Sequence, residues 1–84
     1  MTEIENKIRK FLSENFILSE QADQLSPSDS FLEKGIIDST GILELVFFVE
    51  DQFNVQIDTA EVLPENFDSI QNLSAYIRRK QGAG

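Results

Sequence analysis

Two side-chain types that carry much of protein chemistry near neutral pH are missing from this sequence of 84 residues: it has no cysteine and no histidine. Thiolate nucleophiles, disulfides and thiolate metal sites are excluded. So are the commonest general base and the commonest metal ligand. Catalysis would fall to carboxylates, Lys34, Tyr76 or serines. Glu50-Asp51 is a paired-acid candidate, but adjacent acids on a helix are normally solvated, and so short a chain has little room for a cleft. No EF-hand spacing of acids around a glycine is present, so no metal site is expected. The sequence therefore predicts a protein that is not an enzyme. Serine chemistry performed on the chain by another protein remains possible at two pairs, Asp38-Ser39 and Asp68-Ser69. Asp and Ser cap helices by accepting hydrogen bonds from first-turn amides, which is the plain reading of either pair. Asp38-Ser39 differs in its setting. It follows Gly35-Ile36-Ile37 and precedes a segment, Ile42 to Val49, in which seven of eight residues are apolar. A hydroxyl at that helix start sits at the positive end of the dipole, which favours an attached phosphate. Asp68-Ser69 lacks such surroundings and reads as a cap only.

The elements that must hold Ser39 in position read as helices. Ile4, Ile8, Phe11, Leu12 and Phe16 fall at helical spacing, and Thr2 with Glu5 makes a capping-box pattern, giving a first helix over about 2–16. Residues 17–38 read as a long connection rather than a helix, because Ser26-Pro27-Ser28-Asp29-Ser30 clusters turn formers around a proline. Leu25, Phe31, Leu32, Ile36 and Ile37 supply apolar anchors for it. The helix over 39–53 puts Ile42, Leu45, Val46, Val49 and Phe53 on one side. Glu44, Phe47, Phe48 and Asp51 fall opposite. Apolar residues nearly all round a helix signal either full burial or surface exposed for a purpose. One of the phenylalanines, in the first instance Phe47, could fold over a neighbouring helix, and the other reading is an apolar docking face inside an acidic rim. A short helix over 59–63, stopped by Pro64, and a last helix over 69–80 with Ile70, Leu73, Tyr76 and Ile77 follow. Residues 81–84 are expected to fray. The expectation is one all-α domain over 1–84, a small four-helix bundle with three longer helices and one short one.

Charge narrows the partners. The net charge is −8, yet residues 20–68 hold twelve acids and a single base, Lys34. Such a field repels nucleic acid and anionic membrane and steers basic-surfaced proteins toward the middle of the chain. No apolar run approaches membrane-spanning length, and the N-terminus lacks a signal-peptide core. A cytoplasmic monomer without membrane insertion is expected.

The strip Gly35-Ile36-Ile37-Asp38-Ser39, followed by a helix and then Phe53 and Ile57, resembles the acyl carrier protein family over nearly the whole chain. Asp29, Phe31 and Gly35 can fill the family's loop positions, and Ile70, Leu73, Tyr76 and Ile77 match its last helix. The resemblance implies an acyl-carrier-like fold and a 4′-phosphopantetheine arm, derived from coenzyme A, joined to Ser39 through a phosphodiester with Asp38 and Thr40 beside it. An acyl or aminoacyl thioester on that arm would be presented to partner enzymes, with Glu44, Phe47, Phe48 and Asp51 read as the docking residues. It also implies a phosphopantetheinyl transferase, an adenylating acyl or aminoacyl ligase or an acyltransferase, and other basic-surfaced biosynthetic enzymes as partners. Thr40-Gly41 replaces the leucine and acid usual in fatty-acid carriers, and two residues separate Gly35 from Asp38 instead of one. Both departures look more like D-alanyl and specialised stand-alone carriers, which adenylating ligases load. The alternative from the residues alone is a small acidic helical adaptor without a prosthetic group.

Overall fold

The structure, a computed structural model, describes residues 3–82, and among these only helices, turns and loops occur. Helix α1, Glu3–Asn15, buries Ile8 and Leu12 and half-buries Ile4 and Phe11, the face that the spacing predicted. The capping box expected there involves Thr2, which lies outside the described residues. Helix α3, Gly41–Phe53, buries Leu45, Val49 and Phe53, and Ile42 and Val46 pack at the edge of the core. It stops at Asn54, whose φ of 55° and ψ of 47° are left-handed, a conformation that asparagine tolerates better than most residues. Helix α5, Ile70–Gly82, buries Ile70, Leu73, Tyr76 and Ile77 and carries Arg79 and Lys80 in its last turn. There the cations oppose the negative end of the dipole. Gln81 and Gly82 complete this helix instead of fraying. Ala83 and Gly84 lie outside the described residues.

Two short helices differ from the sequence expectation. Within the connection 17–38 the segment Ser19–Gln24 is helical and forms α2. Its sequence, SEQADQ, buries only Ala22, so no apolar stripe announces it. Polar contacts fix it instead. The Leu18 amide donates to Gln21 Oε1 at 3.0 Å, and the Arg9 guanidinium of α1 reaches across to donate to the Ala22 carbonyl near its C-terminus. The segment expected as one helix over 59–63 is a 3₁₀ turn, Thr59–Glu61, and Pro64 then opens a further helix, α4, Pro64–Phe67. Proline at a first helical position sacrifices only an amide that would lack a partner anyway. The all-helical class and the three long helices stand, with three short helical pieces in place of one.

The long loop between α2 and α3 is pinned at its middle. Phe31 is fully buried, and its amide donates to the Asp68 carbonyl at 2.8 Å. The Asp68 carboxylate accepts from the Leu32 amide at 2.9 Å and from the Ser30 hydroxyl. Gln71 N donates to the Pro27 carbonyl at 2.8 Å, so the start of α5 receives the loop along its length. A second polar tie holds the 3₁₀ turn to α5. Glu61 Oε1 accepts from Tyr76 Oη at 3.1 Å and from Lys80 Nζ at 3.0 Å.

Two outcomes are expected. Asp68→Ala leaves the Leu32 amide and Ser30 hydroxyl without their acceptor; hydrogen bonds to charged groups are worth about 1.5–3 kcal/mol each in net terms, and water can replace part of that at these partly exposed residues, so urea denaturation should register a loss of about 2–4 kcal/mol. Amide exchange at Leu32 should accelerate with it. The second concerns pH. Burial, then the hydrogen bond and charge of Glu61, push the Tyr76 phenol up to about 12 from 10.0. The folded state thus holds that proton more tightly than the unfolded chain, so the contribution is intact below about pH 10 and disappears as pH rises toward about 12. Lys80, followed by the Asp58 amide, holds the Glu61 carboxyl below its ordinary 4.5, so its contribution is present above that pH and is lost as pH falls beneath it. Tyr76 is the chain's sole tyrosine. Its phenolate absorbance should rise near pH 12 in the folded protein and near pH 10 in denaturant.

Candidate functional site

The candidate site is the turn at the start of α3. Gly35, at a φ of +68°, reverses the loop in a region that a side chain would strain. Ile36 and Ile37 then return to the core, where Ile37 is 1% exposed. Asp38 Oδ1 accepts from Gly41 N at 2.7 Å, and the Asp38 carbonyl accepts from Ile42 N at 3.2 Å. Capping therefore falls to Asp38, and regular helix begins at Gly41, two residues after the expected start at Ser39. Ser39 and Thr40 are exposed. Among the described residues nothing hydrogen-bonds to Ser39 Oγ or to the amides of Ser39 and Thr40.

The second Asp-Ser pair is built in the opposite way. Ser69 is 5% exposed, and its hydroxyl accepts from Asn72 N at 3.0 Å, so it caps α5 as expected. Asp68 does more than the sequence suggested, because its carboxylate holds the loop. One pair has its acid capping and its serine free. The other has its serine capping and buried.

Gly41 explains how tightly this turn is seated. A Cβ there would lie 2.9 Å from Ile37 Cγ2 and 3.1 Å from Phe16 Cε1. The glycine that weakens the first helical turn is thus required by the close approach of two side chains beneath it.

Along α3 the four expected docking residues divide. Glu44, Phe47 and Asp51 are exposed, Phe47 by 66%. Phe48 is not on the open face. It stacks on Phe11 of α1 with ring centroids 4.2 Å apart and meets Phe53 edge-on at 5.9 Å. The phenylalanine that folds over a neighbouring helix is therefore Phe48, not Phe47, because α1 runs beside that side of α3. Leu43, 58% exposed, was missed. Its position four residues after Ser39 and four before Phe47 was the available signal. Glu50 Oε2 accepts from Ile57 N at 3.0 Å while Asp51 faces solvent, so these acids do not converge as an acid–base pair. Among the described residues no group of three or more His, Cys, Asp or Glu side chains could hold a metal ion. Among the described residues no helix is long and apolar enough to cross a membrane.

A free hydroxyl on a helix start, with open amides next to it and an acidic, partly apolar helix leading away, is what a phosphodiester-linked arm would need at its point of attachment. The residues fit a phosphodiester: the open amides and the dipole both favour its charge. The family model described as the phosphopantetheine attachment site matches residues 7–77. Similar proteins include the "Probable acyl carrier protein PigG" of Serratia sp., 30% identical over 76 residues, which cover 90% of this chain and 86% of the relative. The "Acyl carrier protein" of Nitratidesulfovibrio vulgaris is 31% identical over 78 residues, covering 93% and 97%. That of Buchnera aphidicola subsp. Schizaphis graminum is 30% identical over 80 residues, covering 95% and 96%. The chain belongs to the acyl carrier protein family. It is accordingly a carrier and not an enzyme, bears a covalent 4′-phosphopantetheine arm, and works with a phosphopantetheinyl transferase and biosynthetic enzymes. The adaptor alternative is not favoured.

Gly41→Ala tests the close approach. Helix propensity alone would make alanine better by about 1 kcal/mol. Overpacking against buried Ile37 costs about 1–3 kcal/mol. The expected outcome is a net loss in urea denaturation, and a gain would show that the glycine serves flexibility instead.

Proposed function

We propose that Ser39 is the residue to which the arm is attached, and that Asp38, Thr40, Leu43, Glu44, Phe47 and Asp51 form the face that partners read. The observation that carries this is the free, exposed Ser39 hydroxyl set against the buried, capping Ser69 hydroxyl. Asp38 performs the capping, so derivatising Ser39 takes nothing from the helix. When bound, the arm supplies the thiol that the sequence lacks and holds the cargo as a thioester. With no histidine in the chain, the base that takes the Ser39 proton during attachment belongs to the transferase. Glu44 and Asp51 attract basic partner surfaces, and Leu43 and Phe47 between them offer apolar contact. Thr40-Gly41 and the Gly35-Ile36-Ile37 strip support loading by an adenylating acyl or aminoacyl ligase, as in specialised stand-alone carriers, ahead of an acyltransferase. We read the protein as a cytoplasmic monomer.

Intact-protein mass after incubation with coenzyme A and a broad-specificity phosphopantetheinyl transferase tests the attachment residue. The parent should gain one phosphopantetheine and Ser39→Ala none. Because Asp38 keeps the cap, the variant should stay within about 0.5 kcal/mol of the parent. Gain by a folded Ser39→Ala protein would move the arm elsewhere.

A further inference from the structure

Acids outnumber bases in this chain by 15 to 7, so a cation without an acidic neighbour stands out. Lys7, Lys34 and Lys80 pair with Glu3, Asp29 and Glu61. Among the described residues Arg9 and Lys10 pair with no acid. Both line one cleft of about 550 Å³ between α1 and α2, a volume in the range of small-molecule sites. Arg9 is only partly satisfied there. One of its terminal nitrogens donates to the Ala22 carbonyl, while its Nε is buried and has no hydrogen-bond partner. A buried donor left over in this way is completed by a water or an ion. Ser13, whose hydroxyl donates to the Lys10 carbonyl, and Ser19 add hydroxyl oxygens to the walls. Ala22 and Pro27 make the apolar side, and Asp23 is the single acid on the walls among the described residues.

We propose that this cleft binds a small organic phosphate, with the phosphate on Arg9 and Lys10 and the organic part against Ala22 and Pro27. The planar guanidinium presents its donors in a fork that fits phosphate oxygens, and the lysine adds a point charge. Asp23 opposes any anion, so the ligand must gain enough from the two cations to offset it. A phosphate monoester carries close to two charges at neutral pH and gains about twice what a monocarboxylate does. Asp23 and the acidic middle of the chain keep the affinity in the millimolar range. The occupant touches both helices. Helix α2 buries a single side chain, Ala22, so a ligand bridging it to α1 braces it and makes it harder to open. Ser39 takes no part in this site, which therefore stands apart from the attachment reading.

The test titrates the full chain with phenyl phosphate, inorganic phosphate and benzoate and follows amide NMR shifts. Phenyl phosphate should give saturable shifts at Arg9, Lys10, Ser13, Ser19 and Ala22, leave Leu43 and Phe47 unmoved, and slow amide exchange within α2. Inorganic phosphate and benzoate should each bind more weakly, the first for want of an organic part and the second for want of charge. Lys10→Gln, a change at an exposed position, should weaken phenyl phosphate about threefold, and Asp23→Asn should tighten it about threefold. Arg9→Lys keeps the charge but loses the fork, and should weaken binding by more than Lys10→Gln does. Shifts that never saturate, or affinities unchanged by both Lys10→Gln and Asp23→Asn, would mean adventitious contact with surface charge and overturn the proposal. So would benzoate or inorganic phosphate binding as tightly as phenyl phosphate, or shifts centred on α3.

Discussion

The arrangement of the molecule depends on the Asp68 carboxylate. The chain between α2 and α3 has no regular structure of its own, and an unpinned segment of that length would leave the start of α3 free to wander. Asp68 gathers it with three bonds: its carbonyl takes the Phe31 amide, and its carboxylate takes the Leu32 amide and the Ser30 hydroxyl. Phe31 is thereby delivered into the core, and the Gly35 turn that follows aims Ile37 beneath α3. Everything presented at the functional turn is downstream of that clasp. The charged group sits on the element that starts α5, so the last helix is also the anchor of the first functional one.

The two Asp-Ser pairs reveal how one dipeptide can do opposite work. Capping needs one oxygen aimed at a first-turn amide, and either residue of the pair can supply it. At α5 the serine caps, which frees the aspartate for the loop. At α3 the aspartate caps, which leaves the serine hydroxyl free. The distinction is geometric, and no rule of composition would have separated the pairs. What separated them in the sequence was their surroundings: the glycine and apolar pair before Ser39, and the apolar, acidic helix after it.

Long helices with strong periodicity were legible because burial of their stripes decides them: Ile8 and Leu12, Leu45 and Val49, Leu73 and Ile77 all lie where their spacing put them. The short helices were not legible. SEQADQ buries one alanine, and its helix is set by Gln21 and by Arg9 from another element, a contact that sequence spacing does not encode. Pro64 reads as a stop from the sequence, yet its lack of an amide suits a start equally well, and it opens α4. At the proposed site the pattern marks Ser39, Asp38, Glu44, Phe47 and Asp51, all of which are exposed, whereas the choice between Phe47 and Phe48 was not legible. That choice depends on where α1 lies, which is tertiary information.

The Phe11–Phe48 stack accordingly acts as a rotational stop. Neighbouring positions on a helix differ by about 100°, so burying Phe47 in place of Phe48 would turn α3 by more than a quarter of a revolution. Leu43, Glu44 and Asp51 would swing toward or away from α1 with it. Phe11, a residue on another helix and far from Ser39 in sequence, thus helps set which meridian of α3 the outside world meets. A change at either ring position would turn the same acids to a different azimuth about the axis of α3.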